Sequence, residues 1–196
     1  MVAQVQGAVL RFRSAGVDRV FIEGVPTVFF ANEAQAQSWH PHYVVTSATG
    51  GAALEANLPK EQLANFHGYG WFPAVDVNRA NQPPLNAQQK LCLQMLKSQG
   101  IVPSQYNDFL EAYTTCDSLF LYDRALRATN GNPAVAMVAR VLERFDGAFT
   151  GSSTLSGRTV FKPNRHDAPA TWRPWTYQGA CSCFRYSGSE HSMPDL

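Results

Sequence analysis

The sequence lacks any apolar run approaching the ~18–20 residues needed to cross a bilayer. Its N-terminus, Met1 to Gly7, also lacks the basic and apolar regions of a signal peptide. Charge is scarce as well. Only 16% of the residues are charged, and the net charge is +1, so the electrostatic footprint of a nucleic-acid binder is missing and no nucleic-acid partner is expected. Nucleotide fingerprints are absent too. Glu23-Gly24-Val25-Pro26 lacks the glycine spacing of a Rossmann loop or P-loop, and no cofactor is expected. The Gly/Ser/Thr run at 151–157 lacks the Gly-x-Ser-x-Gly spacing of a nucleophile elbow and reads as a loop. Read literally, the two missing targeting signals predict a cytoplasmic chain, whereas the four cysteines point the other way.

What is present is a core-forming composition, 45% hydrophobic and 12% aromatic over 196 residues. A chain of that length buries roughly 70% of its unfolded surface and needs no staples to hold a core. The first half alternates between helix and strand patterns. Val5, Val9, Leu10 and Phe12 mark a helix closed by Gly16, and Val17 to Ile22 reads as a buried strand. Pro26 opens a second helix toward Trp39, Tyr43 to Thr46 is a strand, a short helix spans Leu54 to Leu63, and Phe66 to Phe72 is a third strand. This order predicts an α/β doubly wound parallel sheet. The Pro/Asn-rich segment 73–84 reads as a linker. Helices are then expected over 86–99, Tyr106 to Ala128 and Pro133 to Phe145. Strand patterns return at Ser156 to Phe161 and from Trp175 to Tyr186.

Open α/β sheets bind ligands at the carboxyl ends of their parallel strands. Those ends hold Glu23 to Thr27, Ser47 to Thr49, and Trp71-Phe72. One carboxylate, several hydroxyls and two aromatics suit a small polar solute. His40-Pro41-His42 puts two imidazoles on one side of an extended segment, but no neighbouring acid or thiol completes a metal set, so it reads as a surface turn. His166-Asp167 has the look of half a catalytic dyad, yet its setting reads as a loop and no nucleophile pairs with it in sequence. Cys92 and Cys116 fall in successive helices expected to pack antiparallel, which can bring the thiols together. Two separate buried thiols, or a four-cysteine zinc site without the usual Cys-x-x-Cys pairs, remain as alternatives.

Several stretches are similar to one family. Ala15-Gly-Val-Asp-Arg-Val-Phe21 resembles a segment in the C-terminal lobe of type 1 periplasmic binding proteins, the leucine/isoleucine/valine-binding family of ABC importers. Ala34 to Tyr43 looks like the family's next helix and strand, and Phe66 to Asp76 like its third strand and crossover. Cys116 to Leu126 is similar to a family helix, and Phe149 to Phe161 to the closing strand segment; the cysteines resemble actinobacterial members.

The resemblance implies a non-enzymatic, extracytoplasmic solute-binding component, periplasmic or a lipoprotein, that delivers a small-molecule solute to an ABC permease. It implies a partial chain: residues 1–80 and 147–190 as the C-terminal α/β lobe, 85–146 as a helical segment of the missing N-terminal lobe, and 191–196 as a tail. Apolar helix faces left uncovered would favour self-association. The implied ligand contacts are Glu23 and Thr27 as polar groups, Ser47 and Thr49 as hydrogen-bond donors and Trp71 as an apolar wall. Where amino-acid-binding members place an acidic residue for the ligand ammonium, this chain has Ser47-Ala48-Thr49, and Glu23 on the neighbouring strand end is the available carboxylate. The rival readings are an α/β enzyme built on His166 and Asp167, and a sensor domain of the same fold. Export implies oxidised cysteines. Cys181 and Cys183 share one face of a strand, but regular strand spacing holds their Cα atoms ~6.5–7 Å apart, at the limit for a disulfide. A structural bridge there implies a local kink, and the pair reads as a marker of compartment rather than an active site.

Overall fold

The computed structural model describes residues 2–131, 134–145, 148–163 and 165–194. In chain order, the first elements are α1 (Val2–Ser14), β1 (Arg19–Phe21), α2 (Pro26–Ala36), β2 (His42–Thr46), α3 (Gly51–Asn57), α4 (Lys60–Leu63), β3 (Phe66–Gly70) and α5 (Pro73–Asp76). A 3-10 turn at Arg79–Asn81 precedes α6 (Ala87–Ser98), α7 (Tyr106–Ala128) and α8 (Val135–Leu142). Five strands follow: β4 (Thr159–Lys162), β5 (Arg165–Pro169), β6 (Thr171–Gln178), β7 (Cys183–Tyr186) and β8 (His191–Ser192). Pro133, expected to start a helix, lies outside the described residues.

The chain divides into two compact units. The first comprises Met1–Gly70, Val75–Gln82 and Arg173–Ser189. Its sheet runs β1-β2-β3-β6-β7, parallel across the first three strands and antiparallel at the last two. Helical crossovers α2 and α3–α4 return the chain to the same end of the sheet, so β1, β2 and β3 must run parallel. The segment from Trp175 to Tyr186 is not one strand. Residues 179–182 turn it back on itself, with Ser182 in the left-handed region at φ 51°, and β7 pairs with β6 as a hairpin.

One core holds this unit together. Val9, Val20, Phe30, Ala34, Tyr43, Val45, Leu54, Phe66, Trp175 and Phe184 are all buried in it. Tyr43 stacks on Phe66 with ring centroids 4.3 Å apart. Its hydroxyl donates to Gln62 Oε1 at 3.0 Å, and Gln62 Nε2 donates to the Trp39 carbonyl at 2.9 Å; these buried side chains pair with one another and with the backbone. The expected linker at 73–84 is packed rather than free. Val75, Asp76 and Val77 are buried, and Tyr186 donates its hydroxyl to Asp76 Oδ2 at 2.6 Å.

The second unit comprises Trp71–Ala74, Pro83–Trp172 and Glu190–Leu196. Capping boxes open both long helices, Asn86 with Gln89 on α6 and Gln105 with Asp108 on α7. A disulfide joins Cys92 to Cys116 across them, Cα to Cα 5.9 Å. The sequence boundary assigned 147–190 to the α/β lobe, but residues 148–172 group here with the helices. Polar anchors explain the difference. Asp117 on α7 accepts from the Ser152 and Ser153 amides at 2.6 and 2.8 Å, and Gln89 and Asn86 donate to the Ser152 and Gly151 carbonyls, each at 2.9 Å. Phe145, Phe149 and Phe161 form a small core against Phe120, Leu121, Val141 and Leu142. His166 is on strand β5, paired with β4, and not in a loop. The expected tail contributes β8, which pairs with the start of β6 and stacks His191 on Trp172 at 4.6 Å.

In the first unit, a Cβ built on Gly68 would lie 1.8 Å from the Trp175 ring, which is fully buried on the facing strand. Gly68→Ala should therefore destabilise the chain by about 3 kcal/mol or more through overpacking, read as a shifted urea midpoint. Trp175→Phe in the same chain should recover part of the loss. In the second unit, replacing Cys92 and Cys116 together by alanine should cost about 3–4 kcal/mol in the chain-entropy account of disulfides. A urea midpoint unchanged by that double substitution would show that the bridge does not restrain the unfolded chain.

Candidate functional site

Strand β1 ends at Phe21, and the chain turns through Glu23 and Gly24 into α2, which Pro26 starts. Strand β2 ends at Thr46 and turns through Ser47, Ala48 and Thr49 toward α3. Parallel pairing of β1 with β2 sets both carboxyl ends side by side. Three of the expected residues meet there. Thr49 Oγ1 donates to Glu23 Oε2 at 3.0 Å and accepts the Gly24 amide at 2.8 Å, while Thr27 Oγ1 lies 3.4 Å from it.

A hydroxyl has one proton to give. The proton of Thr49 goes to Glu23, so Thr27 is the donor in its contact with Thr49, and the three side chains form a directed chain, Thr27 to Thr49 to Glu23. Thr27 is fully buried and Glu23 half-buried. Glu23 Oε1 is a buried atom, and among the described residues it has no hydrogen-bond partner. An unpartnered buried acceptor of this kind is costly and is completed by any donor that arrives. Thr49, expected as a donor to a ligand, has its proton committed to the carboxylate and acts one step back, holding Glu23 in place.

Ser47 follows β2 directly and is buried. Trp71 immediately follows β3, is partly buried and belongs to the second unit. The structure links neither of these two to the Glu23 cluster by a described hydrogen bond.

Asp76 went unnoticed in the sequence because it lies in the expected linker. It is fully buried in the first unit, and a Cβ on Gly70 would come 2.2 Å from its Oδ2. The signal available was the Gly68-x-Gly70 spacing, which marks a strand face pressed against something large. Glu55 is a further carboxylate here, with a structural task. It accepts the Phe184 amide, and burial pushes its carboxyl above the ordinary range against the opposing hydrogen bonds from Phe184 and Asn78.

The rival chemistries find little support among the described residues. His166 is exposed and lies 3.4 Å from Glu143 Oε1; the side chain of Asp167 lies outside the described residues. Among the described residues, no group of three His, Cys, Asp or Glu side chains could hold a metal ion, and no helix is long and apolar enough to cross a membrane. A groove of about 630 Å³ runs along α6 and α7, but its lining of Met95, Leu96, Ile101, Val102 and Leu119 is largely apolar, which suits a polar solute poorly.

No protein-family model matches the chain, and no curated protein matches it. Solved structures do. A branched chain amino acid ABC transporter protein from Thermus thermophilus, solved with bound valine, superposes with a TM-score of 0.68 at 15% identity, covering 95% of this chain and 49% of that one. An ABC transporter substrate binding protein from Aeropyrum pernix gives 0.67 at 10% identity, covering 99% and 49%. A possible leucine/isoleucine/valine-binding protein from Rhodopirellula baltica gives 0.55 at 18% identity, covering 87% and 42%. The fold is α/β and is that of type 1 periplasmic binding proteins, as the sequence resemblance implied. The chain spans about half the length of the solved structures it matches.

Thr49→Val keeps the shape of the side chain but removes both of its hydrogen bonds. It should cost about 1–3 kcal/mol by stranding the Glu23 carboxylate and the Gly24 amide, whereas Thr49→Ser should retain most of the stability. Equal losses from both variants in urea titrations would show that the methyl group, and not the hydroxyl, holds this corner.

Proposed function

We propose that this chain acts as the extracytoplasmic solute-binding component of an ABC importer, taking a small polar, amino-acid-like solute and passing it to a membrane permease. Fold similarity to binding proteins rather than enzymes supports the general role. The observation that carries the ligand chemistry is Glu23 Oε1, a buried carboxylate oxygen without a described partner at the carboxyl end of β1. A carboxylate offers only acceptors, so its complement is a donor, best an ammonium.

In this reading Glu23 receives the solute's ammonium, while Thr27 and Thr49 fix the carboxylate through the hydroxyl chain. Ser47 supplies a further hydrogen bond. Because the chain spans about half of the proteins it resembles, transport and its partners belong to this proposal as a whole.

The test is a thermal-shift screen of the chain against amino acids, their amides, urea-like solutes and aromatic acids. Ligand at 100 times its Kd should stabilise the folded state by about 2.7 kcal/mol. Compounds carrying a primary ammonium should raise the melting temperature, and Glu23→Gln should abolish that rise while leaving the unliganded melting temperature nearly unchanged. Stabilisation by neutral amides equal to that by the amino acids would remove Glu23 from its role. No response to any of the four classes would sink the binding proposal.

A further inference from the structure

The two disulfides differ in solvent access and in the length of chain they close. Cys92 is fully buried and Cys116 nearly so, on two long helices. Cys181 is exposed, in the turn between β6 and β7, and its partner Cys183 is buried at the first position of β7. Thiol–disulfide exchange depends on which sulfur can be reached and on how well the other one leaves. Access at Cys181–Cys183 is therefore one-sided, with Cys181 open and Cys183 shielded.

The shielded sulfur has a donor. Asn81 Nδ2 lies 3.2 Å from Cys183 Sγ, 2.8 Å from Asn78 Oδ1 and 3.3 Å from the Phe184 carbonyl, so its two N–H groups serve three acceptors and one of them is shared between the sulfur and the Phe184 carbonyl. These partners hold the amide against the sulfur. A hydrogen-bond donor stabilises the negative charge that develops on the leaving sulfur. The bridge also closes a loop with a sequence separation of only 2, against 24 for Cys92–Cys116. A short loop restrains the unfolded chain far less, so opening it leaves the fold standing. Hairpin pairing from Trp175↔Tyr186 to Gln178↔Cys183 and the Glu55 contact with the Phe184 amide hold β7 independently of the bridge.

We propose that Cys181–Cys183 is a thiol-exchange site, at which an external thiol attacks Cys181 and Cys183 is the leaving sulfur, assisted by Asn81. An external thiolate bonds to Cys181 Sγ, the S–S bond breaks, and its electron pair leaves on Cys183 Sγ. The product is a mixed disulfide at Cys181. A second external thiolate attacks the external sulfur of that mixed disulfide, forming the external disulfide and releasing Cys181 as thiolate. Both protein thiolates take protons from solvent. In balance, two external thiols are oxidised and one protein disulfide is reduced by two electrons. Cys92–Cys116 takes no part.

The native chain is incubated with glutathione as the probe, quenched by alkylation, and mapped by peptide mass spectrometry. Glutathione should appear on Cys181, and Cys181–Cys183 should open at least about tenfold faster than Cys92–Cys116, because only the former presents an accessible sulfur. Asn81→Leu should slow the opening several-fold while the Cys92–Cys116 rate stays constant, which serves as the internal check that the fold is intact. Glutathione found first on Cys183, both bridges opening together, or free thiols at Cys181 and Cys183 in protein never exposed to reductant would each overturn the proposal. An unchanged rate in Asn81→Leu would overturn the assignment of Asn81 to the leaving sulfur.

Discussion

The first unit is organised around the contact between Trp175 and the glycine face of β3. The indole occupies the space that a side chain at Gly68 would fill, and the same residues are register partners across β3 and β6. One contact therefore fixes both a distance and a register. A slip by one residue would drive the indole into Tyr69 or His67 and turn the core face of β6 outward. The consequences run further along the sheet. Phe184 on β7 meets the indole edge-on with centroids 4.9 Å apart, and Tyr186 on the same strand reaches Asp76, which rests against Gly70. The hairpin is thus keyed to β3 by two glycines, and the parallel strands that carry the candidate site rest on that sheet.

The local part of this architecture was legible in the sequence. Helix α7 was expected from Tyr106 to about Ala128 and spans the same residues, because the apolar residues that mark it lie within one stretch of chain. The alternation that gives β1, β2 and β3 is equally local. What escaped was decided over long range. Trp175 to Tyr186 has strand composition throughout, and nothing within it marks the four-residue turn as a reversal except Gly179 and the left-handed Ser182. Strand β5 carries Arg165, His166, Asp167 and Pro169, residues with little strand preference, and pairing with β4 places them in a ladder. The segment 73–84 has the composition of a free linker; within it, Asp76 is held by Gly70 and Tyr186, neither of which lies in the segment.

The candidate site was partly legible for a related reason. The rule that ligands meet the carboxyl ends of parallel strands selects positions, Glu23, Thr27 and Thr49 among them. It does not assign hydrogen-bond direction. That Thr49 turns its proton to Glu23 and its lone pairs to the Gly24 amide depends on the distance between two turns some 25 residues apart in sequence. Asp76 was missed because a buried carboxylate has no sequence signature of its own; only the glycines it rests on hinted at close approach.

Specificity in the proposed site follows from what is left incomplete. A carboxylate with one oxygen satisfied from within and the other buried without a described partner discriminates mainly by rejection. A solute bringing an ammonium completes the oxygen at the moment of binding. An isosteric solute lacking a donor covers the oxygen and leaves it unpaired, a penalty that sites built on polar complementarity turn into discrimination far larger than a missing methylene provides. The threonine chain sharpens this effect. With Oε2 already engaged, the carboxylate cannot rotate to share its deficit between the two oxygens without breaking the Thr49 bond. The selectivity proposed for Glu23 therefore rests on Thr49, a residue that need not touch the solute at all.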